Sequence, residues 1–155
     1  MEEYVVEKSV YVDAPVRKVW DEMMAVEAWP AWKPFIQKVK LGGGDETLAN
    51  GTVIWMMLQM AGPVGAPLRV RVNNFDMPRS LGWEGGIDNL VHAEHTFTFE
   101  DKGGKTKVTS REAFQGHLLK FFFLMVTRED LEKLHEKWVG SIKSRVEGNG
   151  PGAHS

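Results

Sequence analysis

The chain has 155 residues, of which 43% are hydrophobic and 26% charged, and this size and balance are those of one globular domain with a sizeable core. The formal net charge is −2, and basic residues are interspersed with acidic ones, so the sequence offers no basic face for nucleic acid. The lack of cysteine excludes disulfides, thiolate metal sites and cysteine nucleophiles.

Targeting and membrane signals are the next feature. The segment MEEYVVEKSV is acidic and alternates, unlike a signal peptide. The longest apolar run, Leu118 to Val126, is interrupted by Lys120 and is too short to cross a bilayer. We therefore expect a cytoplasmic protein without stable membrane insertion, either a monomer or a homodimer.

The first predicted elements are a strand and two short helices. Residues Tyr4 to Val12 alternate in the manner of a strand. Asp13-Ala14-Pro15 ends that strand and starts a helix that continues to Ala25, with Asp13 as the expected cap. Two prolines interrupt the next stretch, which predicts a short, irregular second helix between Trp29 and Ile36.

Strand signals then continue as far as residue 115. The predicted strands cover residues 36–41, 52–60, 68–75, 80–84, 91–100 and 106–115. Gly85-Gly86 is expected to turn the chain, and Gly103-Gly104 is expected to form a two-residue hairpin turn. Because the connections are short, consecutive strands should be antiparallel.

The last predicted element is a long helix. Thr127 and Asp130 form a capping pair, although the helix could also begin near Leu119. The apolar residues recur at helical spacing on one face: Leu131, Leu134, Trp138, Ile142 and Val146. Residues 148–155 have no pattern and are expected to form a disordered tail, so residues 1–147 are predicted to form a single domain. With one long helix available, the sheet must bend around it in an α+β fold.

Two segments of the sequence resemble a known family. These are VDAPVRKVWDEMMAVEAWPAWKPFIQKVK near the start, and LGWEGG followed by HAEHTFTFEDKGGKTKVTSREAFQG in the second half. They resemble the polyketide cyclase/dehydrase and lipid-transport family of the START/Bet v 1-like (SRPBCC) superfamily, over roughly residues 4 to 147. The resemblance implies a helix-grip fold, with a curved antiparallel sheet around the C-terminal helix and an apolar cavity between them.

The hairpin around Gly103-Gly104 places two ionisable residues together. A two-residue turn makes His95 face Glu112. Phe97, Phe99, Val108 and Phe114 share their face and should point inward. We expect His95 and Glu112 to lie within hydrogen-bonding reach, as a buried structural pair or as a catalytic acid/base pair.

The sequence also predicts which residues line the cavity. Most of them are aromatic, since large rings bury much area with few rotatable bonds. The predicted ligand-binding residues are Trp29, Trp32, Phe35, Trp55, Trp83, His95, Phe97, Glu112, Phe114 and Trp138. No metal is expected, because His92 and His95 lie three apart on a strand and point to opposite faces. No cofactor is expected either.

Three functions are compatible with these features. The leading hypothesis is binding of a hydrophobic small molecule, either aromatic, polyketide or lipid-like, in the cavity. The first alternative is a cyclase or dehydratase that uses His95 and Glu112. The second alternative is a co-chaperone-like interaction module, which would show an exposed apolar patch in place of an enclosed cavity.

Two further positions are interpreted from their neighbours. The run Phe121 to Met125 either packs against Trp29, Trp32 and Phe35 or forms a cavity gate or membrane-contacting lip. His135 is expected at the surface of the last helix.

Overall fold

A computed structural model describes residues 2–42, 47–59, 65–87 and 90–148. Within these ranges, seven strands form an antiparallel sheet in the order β1-β7-β6-β5-β4-β3-β2. The strands are β1 (Glu2–Val12), β2 (Ile36–Leu41), β3 (Val53–Leu58), β4 (Ala66–Asp76), β5 (Ser80–Ile87), β6 (Val91–Asp101) and β7 (Thr106–Gly116). The helices are α1 (Val16–Met24), α2 (Trp29–Trp32), α3 (Leu119–Met125) and α4 (Arg128–Val146), with a 3-10 turn at Val26–Ala28.

The architecture confirms the predicted α+β helix-grip fold. The sheet curves around α4, whose inner face is buried against it. Trp138 on that face is 2% exposed, as expected for the centre of the apolar stripe, and its ring packs against Trp29 and Phe35. The helix therefore closes the concave side of the sheet.

The β6–β7 hairpin has the predicted register. Gly103 and Gly104 have φ angles of 70° and 95°, which a glycine pair adopts at little cost in a tight turn. As a result His95 lies directly opposite Glu112 in the ladder. The register therefore places His95 and Glu112 side by side on adjacent strands.

Several local predictions were wrong. Gly85 and Gly86 do not turn the chain but lie inside β5, where Gly86 has a φ of 115° and a Cβ would stand 2.1 Å from the carbonyl oxygen of Val91. Asp13 does not cap α1, whose N-cap is Pro15; instead the Asp13 amide donates to Glu147. Glycine is needed at Gly86 for close backbone approach and not for a turn.

The C-terminal segment divides into two helices. Val126 and Thr127 are extended, and Thr127 and Asp130 form the predicted capping box at the start of α4. The earlier start near Leu119 belongs to the separate helix α3. The predicted strand end at Met60 and the predicted tail from residue 149 onward lie outside the described residues.

Candidate functional site

A partly enclosed cavity of about 180 Å³ lies between α3, α4 and the concave face of the sheet. Its walls are mostly apolar, and the ionisable residues among its described lining are His95 and Glu112. The lining residues are Leu58, Leu68, Val70, Trp83, Gly85, Gly86, Val91, Ala93, His95, Glu112, Phe114, Phe122, Leu134 and Trp138. An apolar pocket with a few convergent polar groups is typical of small-molecule sites.

The polar end of the cavity is a chain of hydrogen bonds. The Nε2 atom of His95 lies 2.7 Å from Ser110 Oγ, which lies 2.8 Å from His135 Nδ1. The Nε2 atom of His135 lies 2.9 Å from Glu112 Oε1. The expected direct contact between His95 and Glu112 is therefore replaced by a link through Ser110 and His135. The side chains of His95 and Glu112 lie opposite each other on the ladder, and His135 reaches the space between them from α4.

The bond directions in this chain follow from the carboxylate. An ionised Glu112 can only accept, so His135 donates from Nε2; when His135 is neutral, its Nδ1 accepts from the Ser110 hydroxyl. Ser110 Oγ then accepts from His95 Nε2. When both imidazoles are neutral, each nitrogen and oxygen atom in these three hydrogen bonds has a matching donor or acceptor. A buried polar network whose atoms are all paired in this way avoids the free-energy penalty of unpaired groups.

Burial keeps His95 neutral. The side chain is 3% exposed, and loss of hydration lowers its pKa well below the usual 6.5. His135 and Lys33, in their protonated forms, lower the pKa of His95 further by charge repulsion. His95 thus enters the site as a neutral base or hydrogen-bonding group.

The structure brings only part of the predicted ligand-binding set to the cavity. Trp83, His95, Glu112, Phe114 and Trp138 line it. Trp29 and Phe97 are packed in the surrounding core, and Trp32 and Phe35 face a separate outer groove. These four do not line the cavity because neighbouring rings, chiefly that of Trp138, stand between them and the cavity.

The prediction that Trp55 binds ligand in the cavity was wrong. Its side chain is 48% exposed on the outer face of the sheet, with the guanidinium of Arg69 5.5 Å from the ring centroid. Ile54 and Met56, the neighbours on either side, point inward and are buried. Strand alternation therefore places Trp55 outside.

His135 was missed because the sequence interpretation assigned it to the surface. It is fully buried and joins Ser110 to Glu112. Its spacing from Leu131 and Ile142, four residues after one and seven before the other, places it on the buried stripe. Measuring that spacing for polar residues as well as apolar ones would have indicated an inward histidine.

The two histidines of the hydrogen-bonded chain form a potential metal-ligating set with Glu112. His95, Glu112 and His135 each offer a ligand atom, and these atoms lie within 4.8 Å of one another. However, both ring nitrogens of His135 already have partners in Ser110 and Glu112. A metal ion would have to displace at least one of those hydrogen bonds.

Helix α3 covers one side of the cavity. Phe122 lines the cavity and stacks on Phe114 with their ring centroids 5.7 Å apart, whereas Phe121, Leu124 and Met125 are 64%, 80% and 81% exposed. The expected packing of this run against Trp29, Trp32 and Phe35 was wrong, because α3 packs on the Phe114 side of the sheet. Of the helices in the described ranges, none is long and apolar enough to cross a membrane.

A family model described as polyketide cyclase/dehydrase and lipid transport matches residues 4–147. The chain belongs to the polyketide cyclase/dehydrase and lipid transport family. No curated protein matches it.

Solved structures similar to this family member share its fold at low sequence identity. A START superfamily protein from Mycobacterium smegmatis is 16% identical with a TM-score of 0.73, covering 93% of this chain and 97% of that one. The ZhuI aromatase/cyclase from Streptomyces sp. R1128 is 15% identical with a TM-score of 0.72, and 94% of each chain is covered. Norcoclaurine synthase from Thalictrum flavum is 16% identical with a TM-score of 0.71, covering 95% of this chain and 88% of that one.

Proposed function

We propose that this protein binds a small, mostly apolar molecule in the cavity beneath α4. The observation that carries the proposal is the cavity itself, which combines apolar walls with two ionisable residues at one end. The presence of this apolar cavity favours ligand binding over the interaction module, for which an exposed patch in place of a cavity is the expectation.

The volume of the cavity limits the size of the ligand. A dry protein cavity of about 150 Å³ is large enough to hold benzene. At about 180 Å³, this cavity accommodates one substituted ring or a short branched chain. A larger polycyclic molecule requires α3 to move, since Phe122 forms part of the wall.

The polar end of the cavity favours a ligand that carries one hydrogen-bonding group. The Glu112 side chain, 15% exposed, presents an acceptor beside the neutral imidazole of His95. A phenol, an enol or a similar hydroxyl group can donate to that carboxylate while its ring contacts Trp83 and Phe114. We therefore expect phenols to bind more tightly than hydrocarbons of the same shape.

Ligand binding can be tested with 4-fluorophenol, observed by ¹⁹F NMR. Ala93 lines the cavity, whereas Ala113 has the opposite parity on the neighbouring strand and points away from it. Ala93→Leu should fill the cavity and weaken binding at least tenfold, and the matched control Ala113→Leu should leave affinity unchanged. Equal binding by both variants, or no binding by the native protein, would refute the proposal.

A second candidate function is acid/base catalysis on the bound molecule. The specific observation that favours it is the bonded chain from His95 through Ser110 and His135 to Glu112. A proton accepted at the free ring nitrogen of His95 can pass along the three hydrogen bonds and arrive at Glu112. Such a relay suits an aldol-type closure or dehydration, in which one carbon loses a proton and an oxygen gains one.

Ser110 acts in this scheme as a bridge and not as a nucleophile. Its hydroxyl lies beside His135, which is oriented by Glu112, but Ser110 is fully buried and does not line the cavity. Incubation with poly-β-keto substrates tests the catalytic candidate. Turnover that is lost in Glu112→Gln while binding persists would support it, and unchanged turnover would exclude it.

A further inference from the structure

A second concave site lies on the outer side of α4, separated from the cavity by Trp138. This groove has a volume of about 440 Å³, within the range of sites that hold small molecules. Its lining residues are Trp32, Pro34, Phe35, Gln59, Lys137, Gly140, Ser141 and Ser144. None of these described lining residues is an aspartate or a glutamate.

Gly140 keeps the groove open. A glycine inside a helix lowers stability relative to alanine, and it is usually retained where another group approaches the backbone closely. Here a Cβ added to Gly140 would meet no atom of the described structure within 4 Å. No packed neighbour among the described residues therefore requires a glycine at this position. The space that a side chain would enter is part of the groove.

Trp32, one of the groove's lining residues, carries a buried hydrogen-bond donor without a partner in the described part of the chain. Trp32 is 2% exposed, and its indole Nε1 has no acceptor among the described residues. A buried N–H left without an acceptor is costly, so a ligand oxygen at this point would remove an existing penalty.

Nitrogen donors, two of them on the cationic side chains of Lys137 and Arg145, surround the same wall. Lys137 lies at the rim, and the Nζ of the buried Lys33 donates to Ser141 at 2.8 Å and lies 4.2 Å from the ring centroid of Trp32. The guanidinium of Arg145 stands 5.9 Å from that ring, where its charge is partly balanced by Glu22 at 3.2 Å. Donors and cations thus outnumber acceptors on this surface.

We propose that the outer groove binds an amphipathic carboxylate, such as an aryl- or alkylcarboxylic acid in its ionised form. The carboxylate lies between the Trp32 indole and Lys137, and the apolar part lies against Pro34 and Phe35. This site is independent of the central cavity and does not rest on the function proposed for it.

The probe for this site is 4-phenylbutanoate, and 4-phenylbutanamide serves as an uncharged control of the same shape. Binding is followed by the indole N–H resonances of the ¹⁵N-labelled protein, with the Trp32 signal assigned from Trp32→Phe. We expect the Trp32 resonance to move with the acid and the amide to bind at least tenfold more weakly.

Four variants locate the probe. Gly140→Leu should fill the groove and weaken binding at least tenfold without lowering the unfolding midpoint. Lys137→Gln should weaken binding several-fold, whereas Lys133→Gln, an exposed lysine one turn away, should not. Ala93→Leu, which fills the central cavity, should leave the Trp32 response unchanged.

The proposal is overturned by any of four results. The first two are equal affinity for acid and amide, and undiminished binding by Gly140→Leu. The third is loss of the Trp32 response in Ala93→Leu. The fourth is no movement of the Trp32 resonance at about 10 mM probe, a concentration well above a weak Kd of about 1 mM.

Discussion

His95 and Glu112 occupy directly opposite positions on β6 and β7, and their side chains are joined through Ser110 and His135. His135 comes from α4, so this network ties the helix to the concave face of the sheet. Each bond is buried or partly buried, and the loss of one member leaves its neighbours unpaired. The network can therefore serve stability and chemistry together.

The contribution of the network to stability can be measured at His135. His135→Phe removes the partner of both Ser110 and Glu112, and we expect a loss of about 1–3 kcal/mol in the free energy of unfolding. Urea denaturation monitored by circular dichroism provides the measurement. Lys133→Gln on the exposed side of α4 is the control, with an expected change of less than about 0.5 kcal/mol. Similar unfolding energies for the two variants would show that the network does not stabilise the fold.

Glu112→Gln separates the structural role of the carboxylate from a catalytic one. The amide oxygen can still accept from His135, so we expect a loss of about 1 kcal/mol as a charged acceptor is replaced by a neutral one. If the pair is structural, affinity for a hydrocarbon ligand without a hydroxyl group stays near the native value. If it is catalytic, stability and hydrocarbon binding persist and turnover disappears. Paired denaturation, binding and turnover measurements decide between these outcomes.

Two tryptophans test the helix-grip packing. Trp138→Ala removes a buried ring from the centre of the core and should cost about 3–5 kcal/mol of unfolding free energy. Trp55→Ala removes a ring that is 48% exposed and should cost less than about 1 kcal/mol. Thermal or urea denaturation compares them directly. A larger loss for Trp55 would contradict the assignment of inner and outer faces.

Lys33 makes the stability of the protein depend on pH. Burial lowers the pKa of Lys33 well below the usual 10.5. Between the lowered pKa and about 10.5, the unfolded chain binds a proton that the folded chain does not bind, so stability rises with pH. The free energy of unfolding should therefore rise with pH on the alkaline side, up to about pH 10.

Lys33→Met is the matched variant for this effect, because methionine has a similar shape and no charge to lose. It should be more stable than the native protein at pH 7, and its own pH dependence over the same window should be flatter. Urea denaturation at three pH values measures both. An unchanged slope in Lys33→Met would assign the pH dependence to another group.

The sequence predicts features that depend on local patterns. Alternation along the chain and the Gly103-Gly104 turn determine the β6–β7 register, and both can be recognised without tertiary information. The capping box at Thr127 is likewise local. The family resemblance then supplied the global arrangement of sheet and helix, which local patterns alone leave open.

Other features depend on tertiary contacts and were not predicted. Trp55 lies between residues that are also apolar, so composition did not reveal that β3 directs its ring outward. Lys33 is fully buried because the short helix α2 places it under Trp138, whereas a lysine in a sequence is normally interpreted as exposed.

A crystal structure of the protein with bound 4-fluorophenol tests the central claim most directly. We predict electron density for the ring between Trp83, Phe114 and Trp138, with its hydroxyl within hydrogen-bonding distance of Glu112. Density found only on the protein surface, with the cavity filled by shifted side chains, would contradict the account.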